Sequence, residues 1–193
     1  MKKIPTIFKR NPENIFEISK EPHPDCLWVF QNEGVATRKY DGSCCMVRDG
    51  ALYKRRSIKK RKPVPFDFEE VAFDENTGKK FGWVPVDFES KADKYHAKAW
   101  KTSLQDGTYE LLGPKVQGNP EYFADNFLLR HSEAQILSGG LRTFDWIQSY
   151  LAASDIEGIV YHHPDGRMAK ITKRHFGLPR VPAWKQKKEI ENV

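Results

Sequence analysis

Asp49-Gly50 stands between two segments of mixed apolar and polar residues, 43–48 and 51–56. An Asp-Gly pair in this setting is the strongest short-range signal for a β-hairpin, because both residue types tolerate the positive φ angles that a two-residue turn requires. The chain is therefore expected to contain an antiparallel strand pair, and its fold must include the sheet built on that pair.

The two-residue turn also fixes which residues face each other across this hairpin. Counting back from the turn places Cys44 opposite Arg55. Arg55 then returns beside the turn that follows Lys39, whereas Arg56 points to the opposite face. Only one of the two arginines is expected to contact a ligand on that face, so Arg55 is the first candidate and Arg56 is the alternative if the register differs by one.

A second hairpin is predicted from two apolar segments, 157–161 and 167–171, that flank the turn residues 162–166. An even-length loop at this turn pairs odd positions of the first strand with even positions of the second. We therefore expect Glu157 and Lys170 to share one face of the sheet.

Lys39 ends a predicted strand, 35–39, and is followed at once by the turn Asp41-Gly42. Such a turn leaves the lysine at a strand end, because Asp and Gly both tolerate tight turn geometry. A lysine attacks as a nucleophile only after losing its proton, and burial or neighbouring cations lower the pKa of such a group. A surface lysine before an ordinary β-turn is the alternative interpretation of these residues alone.

Glu110 lies within an apolar strand, 108–113, that Gly-Pro signals close. A lone buried carboxylate is costly, so it needs a partner that compensates its charge. A ribose hydroxyl or a metal-bound water would be such a partner.

The remaining elements are assigned from apolar runs, turn residues and caps. Helices are expected over 143–153, with Thr143 as the N-cap, and over 95–104. A short strand is expected at 27–30 and another over 127–136, whereas 63–92 is expected to be an irregular excursion with one short strand.

The 193 residues carry 32 Lys and Arg against 26 Asp and Glu, a net charge of +6 that favours a polyanionic partner. Six of the eight residues of 55–62 are basic. Four of them, Lys59, Lys60, Arg61 and Lys62, are predicted to follow a phosphate backbone, with a solvated loop as the alternative.

Length and composition bound the remaining possibilities. The chain can bury one sizeable core, so we expect one domain. No apolar run approaches a membrane span or a signal-peptide core, which favours a cytoplasmic or nuclear protein over a secreted one. The three cysteines, Cys26, Cys44 and Cys45, have no metal-ligand spacing and are expected to be buried thiols.

Four short segments together resemble the ordered motifs I, III, IV and V of the covalent nucleotidyltransferases, which include ATP-dependent DNA and RNA ligases and GTP-dependent mRNA capping enzymes. The segments are Lys39-Tyr40-Asp41-Gly42, Tyr109-Glu110-Leu111-Leu112-Gly113, Glu157-Gly158-Ile159-Val160 and Ala169-Lys170-Ile171.

Within that superfamily the chain most resembles the small ATP-dependent RNA ligases, especially the vertebrate-type 5′-to-3′ RNA ligase. Further matching segments are Gly82-Trp83-Val84-Pro85-Val86, Gly118-Asn119-Pro120 and His175-Phe176-Gly177-Leu178. DNA ligases typically carry arginine where this chain has Cys44, which argues against a DNA ligase.

The resemblance implies an α+β fold of the nucleotidyltransferase type, the ATP-grasp-like adenylation fold of ligases, with mostly antiparallel sheets and flanking helices. It also implies that Lys39 attacks the α-phosphorus of ATP and holds AMP as a phosphoramidate. Asp41 and Gly42 would contact the nucleotide or shape its loop, and Glu110 would bind the ribose. His131 would stack on adenine, and Arg55 or Arg56 would contact a phosphate of the nucleotide or of the RNA.

By the same resemblance, Glu157 would hold a water bound to Mg²⁺, for which Mn²⁺ is an alternative, and Lys170 would neutralise the triphosphate. The family often has a second lysine two residues after the first. That position is Thr172 here, so Lys173 is the candidate for the second cation.

The expected organisation is an adenylation domain over 1–177 and a Pro-rich, charged tail over 178–193, without the C-terminal OB domain of DNA ligases and capping enzymes. The expected reaction joins RNA 5′-phosphate and 3′-hydroxyl ends through lysyl-AMP and an adenylylated RNA end. The alternatives are a GTP-dependent mRNA guanylyltransferase, a DNA ligase-like enzyme and a catalytically inactive RNA-binding module.

Overall fold

The computed structural model describes residues 4–14, 17–75, 77–140 and 142–180. Across these residues the chain is α+β, with antiparallel sheets and few helices, as the sequence indicated. The α-helices there are α1 Leu27–Phe30, α2 Lys94–Ala99 and α3 Phe144–Ala153. The strands are β1 Phe8–Arg10, β2 Ile18–Pro22, β3 Val35–Lys39, β4 Ser43–Arg48, β5 Ala51–Ile58, β6 Glu69–Asp74, β7 Lys79–Pro85, β8 Gly107–Leu112, β9 Phe127–Arg130, β10 Gly158–His162 and β11 Met168–Thr172.

The described residues divide into two compact units. One unit contains Asp41–Glu133, and the other contains residues 4–40 and 134–180. The expected boundary between an adenylation domain and a tail at residue 178 stays a prediction, because most of that tail, 181–193, lies outside the described residues.

A six-stranded antiparallel sheet, ordered β6-β7-β5-β4-β8-β9, forms the framework of the Asp41–Glu133 unit. The predicted Asp49-Gly50 hairpin is its β4–β5 pair, with Arg48 opposite Ala51 and the pairing continuing to Cys45 and Lys54. Alternating residues of this sheet build a buried apolar cluster: Cys45, Val47, Leu52, Val86, Ala99, Tyr109, Leu111, Val116 and Leu128.

Segment 63–92 contains more regular structure than the sequence suggested. It forms two strands, β6 and β7, and β7 pairs with β5 so that the sheet gains two strands at this side. The acidic and lysine-rich composition of this segment obscured the pairing, although its charged side chains form ion pairs in the sheet. Glu70 accepts a hydrogen bond from Lys80 at 2.8 Å, and Glu69 forms a two-pronged ion pair with Arg48.

A three-stranded sheet, ordered β11-β10-β3, belongs to the other unit. One face of it packs on α3, whose N-cap Thr143 accepts a hydrogen bond from Trp146 N at 3.4 Å. Ile147 and Leu151 of this helix are fully buried. The cluster that they join contains Ile7, Phe8, Cys26, Trp28, Val29, Ala36, Ile156, Ile159, Tyr161, Ala169 and Ile171.

The register predicted for the second hairpin was wrong. Val160 lies opposite Lys170, and Ile159 lies opposite Ile171, so even positions pair with even and odd with odd. The loop between the strands, 163–167, therefore has an odd length, and Glu157 and Lys170 do not share a face by strand register.

Three further assignments differ from the expectation. The apolar run 27–30 is a one-turn helix instead of a strand, because His23 and Pro24 start a helical turn immediately before it. The helix expected over 95–104 is shorter and ends at Ala99, where Trp100 adopts an extended conformation. The strand expected over 127–136 ends at Arg130 and continues as a 3₁₀ turn.

No helix in the described part of the chain combines the length and the apolar character needed to cross a membrane.

Candidate functional site

Lys39 is the last residue of β3, where it lies opposite Gly158 of β10. Its ammonium Nζ donates a hydrogen bond to Glu157 Oε2 at 2.5 Å and a longer one to the carbonyl of Tyr40 at 3.5 Å. The two charged side chains are 23% and 24% exposed, so the ion pair is partly shielded from water but reachable from solvent. Lys39 thus ends a strand, as the sequence predicted, and the charged group beside it is a carboxylate.

Glu157 reaches Lys39 because it immediately precedes β10, just beyond the last residue pair of the β3–β10 ladder. Its carbonyl accepts a hydrogen bond from the Lys173 N–H at 2.9 Å, which fixes its backbone at the sheet edge. A side chain at position 158 would lie 2.2 Å from the Ile171 carbonyl oxygen. Gly158 is therefore required for the close approach of the strands next to this ion pair.

Lys170 shares a face of the three-stranded sheet with Lys39. Val160 lies opposite Lys170, and Gly158, two residues before Val160, lies opposite Lys39. Side chains two residues apart on a strand point to the same side, so both lysines project from the face opposite the buried cluster. The main chain of Lys170 is held by Ile7 N, at 3.0 Å, and by the Pro5 carbonyl, at 2.9 Å.

Lys173 was the candidate for the second phosphate-binding cation. Its Nζ donates a hydrogen bond to the carbonyl of Ser154, the C-cap residue of α3. A cation at a helix C-terminus satisfies an unpaired carbonyl and complements the helix dipole. In this structure Lys173 ties α3 to the end of β11.

Glu110 occupies the middle of β8, opposite Cys44 of β4. Its Oε1 accepts a hydrogen bond from the Gly42 N–H at 3.1 Å, and its Oε2 lies 3.0 Å from His131 Nε2. The side chain is only 13% exposed. The carboxylate that the sequence left without a partner is thus held by two donors within the Asp41–Glu133 unit.

His131 was expected to stack on adenine, and the structure shows what its ring nitrogens contact. Nδ1 lies 2.9 Å from Thr108 Oγ1, and Nε2 faces Glu110. A carboxylate only accepts, so Nε2 carries the proton, and Nδ1 accepts from the threonine hydroxyl. Both nitrogens are used in the ring plane, which leaves the ring faces as the surface for any stacking contact.

Asp41 and Gly42 form the turn that leads into β4. The Asp41 N–H donates to Glu121 Oε1 at 3.4 Å. Gly42 has no room for a side chain, because a Cβ would lie 2.2 Å from the Leu111 carbonyl oxygen. The glycine therefore allows its own N–H to approach Glu110.

Arg55 shares the face of Glu110 in the six-stranded sheet, whereas Arg56 does not. Cys45 pairs with Lys54, so Cys44 and Arg55, the next residues along each strand, project to the other face of the sheet. Cys44 lies opposite Glu110, so Glu110 projects to that same face. The Arg55 guanidinium lies over the ring of the buried Trp83, 5.6 Å from its centroid. Arg56 is exposed.

The four basic residues Lys59, Lys60, Arg61 and Lys62 follow the end of β5 and are all exposed. A turn joins the Lys62 N–H to the Lys59 carbonyl at 3.1 Å. The run is thus a surface loop with four cations.

Sequence reasoning missed three residues that hold this machinery in place: Thr108, Glu121 and Trp83. The role of Thr108 could have been predicted, because a residue two positions before Glu110 on a strand lies on the same face of the sheet. Glu121 gave no such signal, and Trp83 was noted only as part of a matching segment, since their contacts with Asp41 and Arg55 arise from distant parts of the chain.

The thiols also differ in part from the expectation. Cys26 and Cys45 are buried, but Cys44 is only half-buried. Burial raises the pKa of Cys26 to about 11 and raises the pKa of Cys45 well above its ordinary value. Among the described residues, Cys44, Glu110 and His131 bring a sulfur, a carboxylate oxygen and an imidazole nitrogen within 4.8 Å of one another.

Comparison with known proteins confirms the expected resemblance to RNA ligases. The chain is 25% identical to RNA ligase 1 of Danio rerio, over 74% of the chain and 67% of that protein. It is 22% identical to RNA ligase 1 of Rattus norvegicus and of Mus musculus, in each case over 75% of the chain and 67% of the relative. No protein-family model matches the chain.

Proposed function

We propose that the protein is an ATP-dependent RNA ligase with a nucleotidyltransferase fold that joins RNA 5′-phosphate and 3′-hydroxyl ends. The observation that carries the proposal is the placement of Lys39, which ends a strand beside Glu157 and shares a sheet face with Lys170. The similarity to proteins named RNA ligase 1 supports the choice of RNA as the substrate.

In the first step, Lys39 Nζ attacks the α-phosphorus of ATP. A P–N bond forms, the bond to the pyrophosphate oxygen breaks, and AMP remains on the lysine as a phosphoramidate. The attacking nitrogen needs a lone pair, so the ammonium must first lose a proton. Glu157 orients Nζ through their hydrogen bond and is the base within reach that would accept this proton.

In the second step, an oxygen of the RNA 5′-phosphate attacks the lysyl-AMP phosphorus and releases the Lys39 amine. In the third, the 3′-hydroxyl of the other RNA end attacks the 5′-phosphorus, and AMP leaves. Charge neutralisation and positioning are most of what such steps require from a protein. Lys170 supplies a cation for the triphosphate, and Arg55 supplies one for a phosphate of the nucleotide or the RNA.

Glu157 is the carboxylate that would hold Mg²⁺, or Mn²⁺ in its place. Mg²⁺ usually keeps several waters and is held by one or two carboxylates together with substrate phosphates. Glu157 offers a carboxylate that is 24% exposed, enough for a hydrated ion to reach. The ion would neutralise charge on the phosphates during transfer.

Glu110 is the candidate for binding the ribose of ATP. The two donors that hold it occupy part of its accepting capacity, and a carboxylate with about four lone-pair sites can still accept from a hydroxyl. Gly42 and Asp41 fix the loop beside it, and His131 presents its ring faces for adenine.

The exposed loop 59–62 would bind the RNA backbone, since each phosphate that it neutralises releases counterions. A ligase of this kind would act in the cytoplasm or nucleus, where ATP and RNA are both present.

Intact mass after incubation with ATP and Mg²⁺ tests the proposal directly. The wild-type chain should gain one AMP, and both Lys39→Ala and Lys39→Arg should gain none. The arginine variant keeps a cation beside Glu157 but cannot be deprotonated, so it separates the ion pair from the chemistry. Adenylylation of either variant would refute the assignment of Lys39.

The same measurement separates the alternatives. Labelling from α-labelled GTP but not from ATP would indicate a guanylyltransferase. Tight RNA binding with no labelling from either nucleotide would indicate an inactive RNA-binding module.

A further inference from the structure

We propose that Cys44, Glu110 and His131 form a binding site for a thiophilic divalent cation, with Zn²⁺ as the preferred ion. Their ligand atoms lie within 4.8 Å of one another, and each comes from a different segment of the six-stranded sheet. The sulfur lies on β4, the carboxylate on β8, and the imidazole just after β9. Nothing in the ligase mechanism requires Cys44 or a soft metal.

Strand pairing pre-assembles these three ligands. Cys44 lies directly opposite Glu110, and Glu110 lies opposite Leu129, two residues before His131. Directly opposite side chains in an antiparallel pair are about 4.5–5.5 Å apart at Cβ. The ligands therefore converge without any rearrangement of the backbone.

The ion would take the place of the proton that lies between His131 and Glu110. His131 Nε2 and Glu110 Oε2 are 3.0 Å apart, and two ligand atoms at about 2.0–2.2 Å from one tetrahedral zinc ion are about 3.3–3.6 Å apart, so a small side-chain movement makes room for the ion. On binding, the imidazole proton moves from Nε2 to Nδ1, Nε2 binds the metal in its place, and the Cys44 thiol releases its proton to solvent. The bound form therefore contains a thiolate, a carboxylate and a neutral imidazole.

Outer contacts that orient the ligands are already present. With Nε2 on the metal, Nδ1–H would donate to Thr108 Oγ1, which lies 2.9 Å away. The second carboxylate oxygen of Glu110 is held by the Gly42 N–H at 3.1 Å. Such contacts fix the ring orientation and the tautomer of a metal-ligating histidine, and their loss usually weakens metal binding about 10–100-fold.

The mixed donor set selects the ion. Thiolate and imidazole ligands favour Zn²⁺ and Co²⁺, whereas Mg²⁺ prefers oxygen ligands alone. Three protein ligands leave a fourth tetrahedral position for water. Cys44 is half-buried, and the His131 side chain is 28% exposed, so an ion can enter from solvent.

The site implies a regulatory effect that rests on the proposed function. An ion held by Glu110 would occupy the carboxylate needed for the ribose of ATP. Zn²⁺ is therefore expected to inhibit self-adenylylation in competition with ATP, and release of the ion would restore it.

Co²⁺ titration of the full chain, without nucleotide, tests the site itself. The wild type should bind one equivalent with a thiolate-to-metal charge-transfer band, and Zn²⁺ should displace it. Cys44→Ser should lose the band, and Thr108→Val should weaken binding about tenfold through the outer contact alone. No band in the wild type, or an unchanged band in Cys44→Ser, would overturn the proposal.

Adenylylation by Cys44→Ser distinguishes this inference from the proposed function. The variant should still gain AMP with Mg²⁺ and should no longer respond to Zn²⁺. Metal binding by a wild-type chain that never gains AMP would refute only the ligase. AMP gain by a wild-type chain that binds no Co²⁺ would refute only the metal site.

Discussion

Gly42 donates its main-chain N–H to Glu110 at 3.1 Å, and the position that its side chain would occupy lies 2.8 Å from Glu110 Cγ. The same hypothetical Cβ lies 2.2 Å from the carbonyl oxygen of Leu111. The absence of a side chain and the hydrogen bond therefore depend on each other, since only a glycine can bring its N–H so close to β8.

Gly42→Ala should accordingly lower stability by about 1–3 kcal/mol and impair AMP gain, because a methyl group must push the turn away from β8. Urea denaturation and intact mass measure the two effects. Gly140→Ala is the matched control, since its nearest neighbour would be 3.8 Å away, and it should change stability by less than about 0.5 kcal/mol. Equal effects of the two substitutions would contradict the steric argument.

Replacing Lys59, Lys60, Arg61 and Lys62 together with glutamine should weaken RNA binding but spare lysyl-AMP formation. Each lost phosphate contact lowers the log–log salt slope by roughly 0.7–0.9, which RNA binding at several salt concentrations measures.

A charge-matched control for this loop replaces Lys91, Lys94, Lys98 and Lys101, which are also exposed. This control variant changes the net charge by the same amount as the loop variant, but it should keep most of the salt dependence of RNA binding. A slope that falls equally in both variants would mean that overall charge, instead of the loop, governs binding.

Sealing should discriminate against deoxyribose at the 3′-hydroxyl end. A site that hydrogen-bonds a 2′-hydroxyl is left with unpaired polar groups when that hydroxyl is missing, which can cost ~10⁴-fold in rate. Rates on pre-adenylylated substrates that differ only in the terminal sugar isolate this step. Equal rates, or faster sealing of an all-DNA nick, would leave the broader nucleotidyltransferase proposal but remove RNA specificity.

His175 should make the fold sensitive to mild acid. This side chain is 9% exposed, and its pKa is lowered from 6.5 to about 4, chiefly by burial. The positive charges of Arg10, Lys170 and Arg174 contribute to this lowering of the pKa. As the pH falls, the His175 imidazole is therefore protonated near pH 6.5 in the unfolded chain but only near pH 4 in the folded chain. The contribution of this histidine to the free energy of unfolding is fully present above pH 6.5 and falls by roughly 3 kcal/mol as the pH drops to 4.

His175→Asn isolates that contribution. Nδ1 of His175 accepts a hydrogen bond from the Thr172 N–H at 3.1 Å, and the asparagine Oδ1 can replace it without titrating. Denaturation at several pH values should show a shallower loss of stability between pH 6.5 and 4 in the variant. His23→Gln, at a histidine whose side chain is 36% exposed, should leave the wild-type slope.

Local signals predicted the elements that short-range chemistry determines. The Asp49-Gly50 turn gave the register of β4 and β5, and Thr143 gave the start of α3. Lys39 at the end of β3 followed from the turn after it.

What the sequence could not supply was information carried by loop length and by distant pairing. The 163–167 loop has an odd number of residues instead of the even number assumed, and this difference reversed the predicted relationship of Glu157 and Lys170. The grouping of Cys44 with Glu110 and His131 could not be predicted either. The three residues lie on separate segments, so no spacing within one segment indicates that they are close together.

The ion pair between Lys39 and Glu157 joins residues 118 positions apart, whereas the strands of the six-stranded sheet all lie within residues 43–130. During synthesis at roughly 5–20 residues per second, about 6–24 s separate the two partners. The six-stranded sheet can therefore form on the ribosome before Glu157 and β10, the neighbours of Lys39, have been synthesised. A nascent chain therefore contains Lys39 early but completes the surroundings of this lysine late, so the proposed attack on ATP would have to wait until β10 has been synthesised.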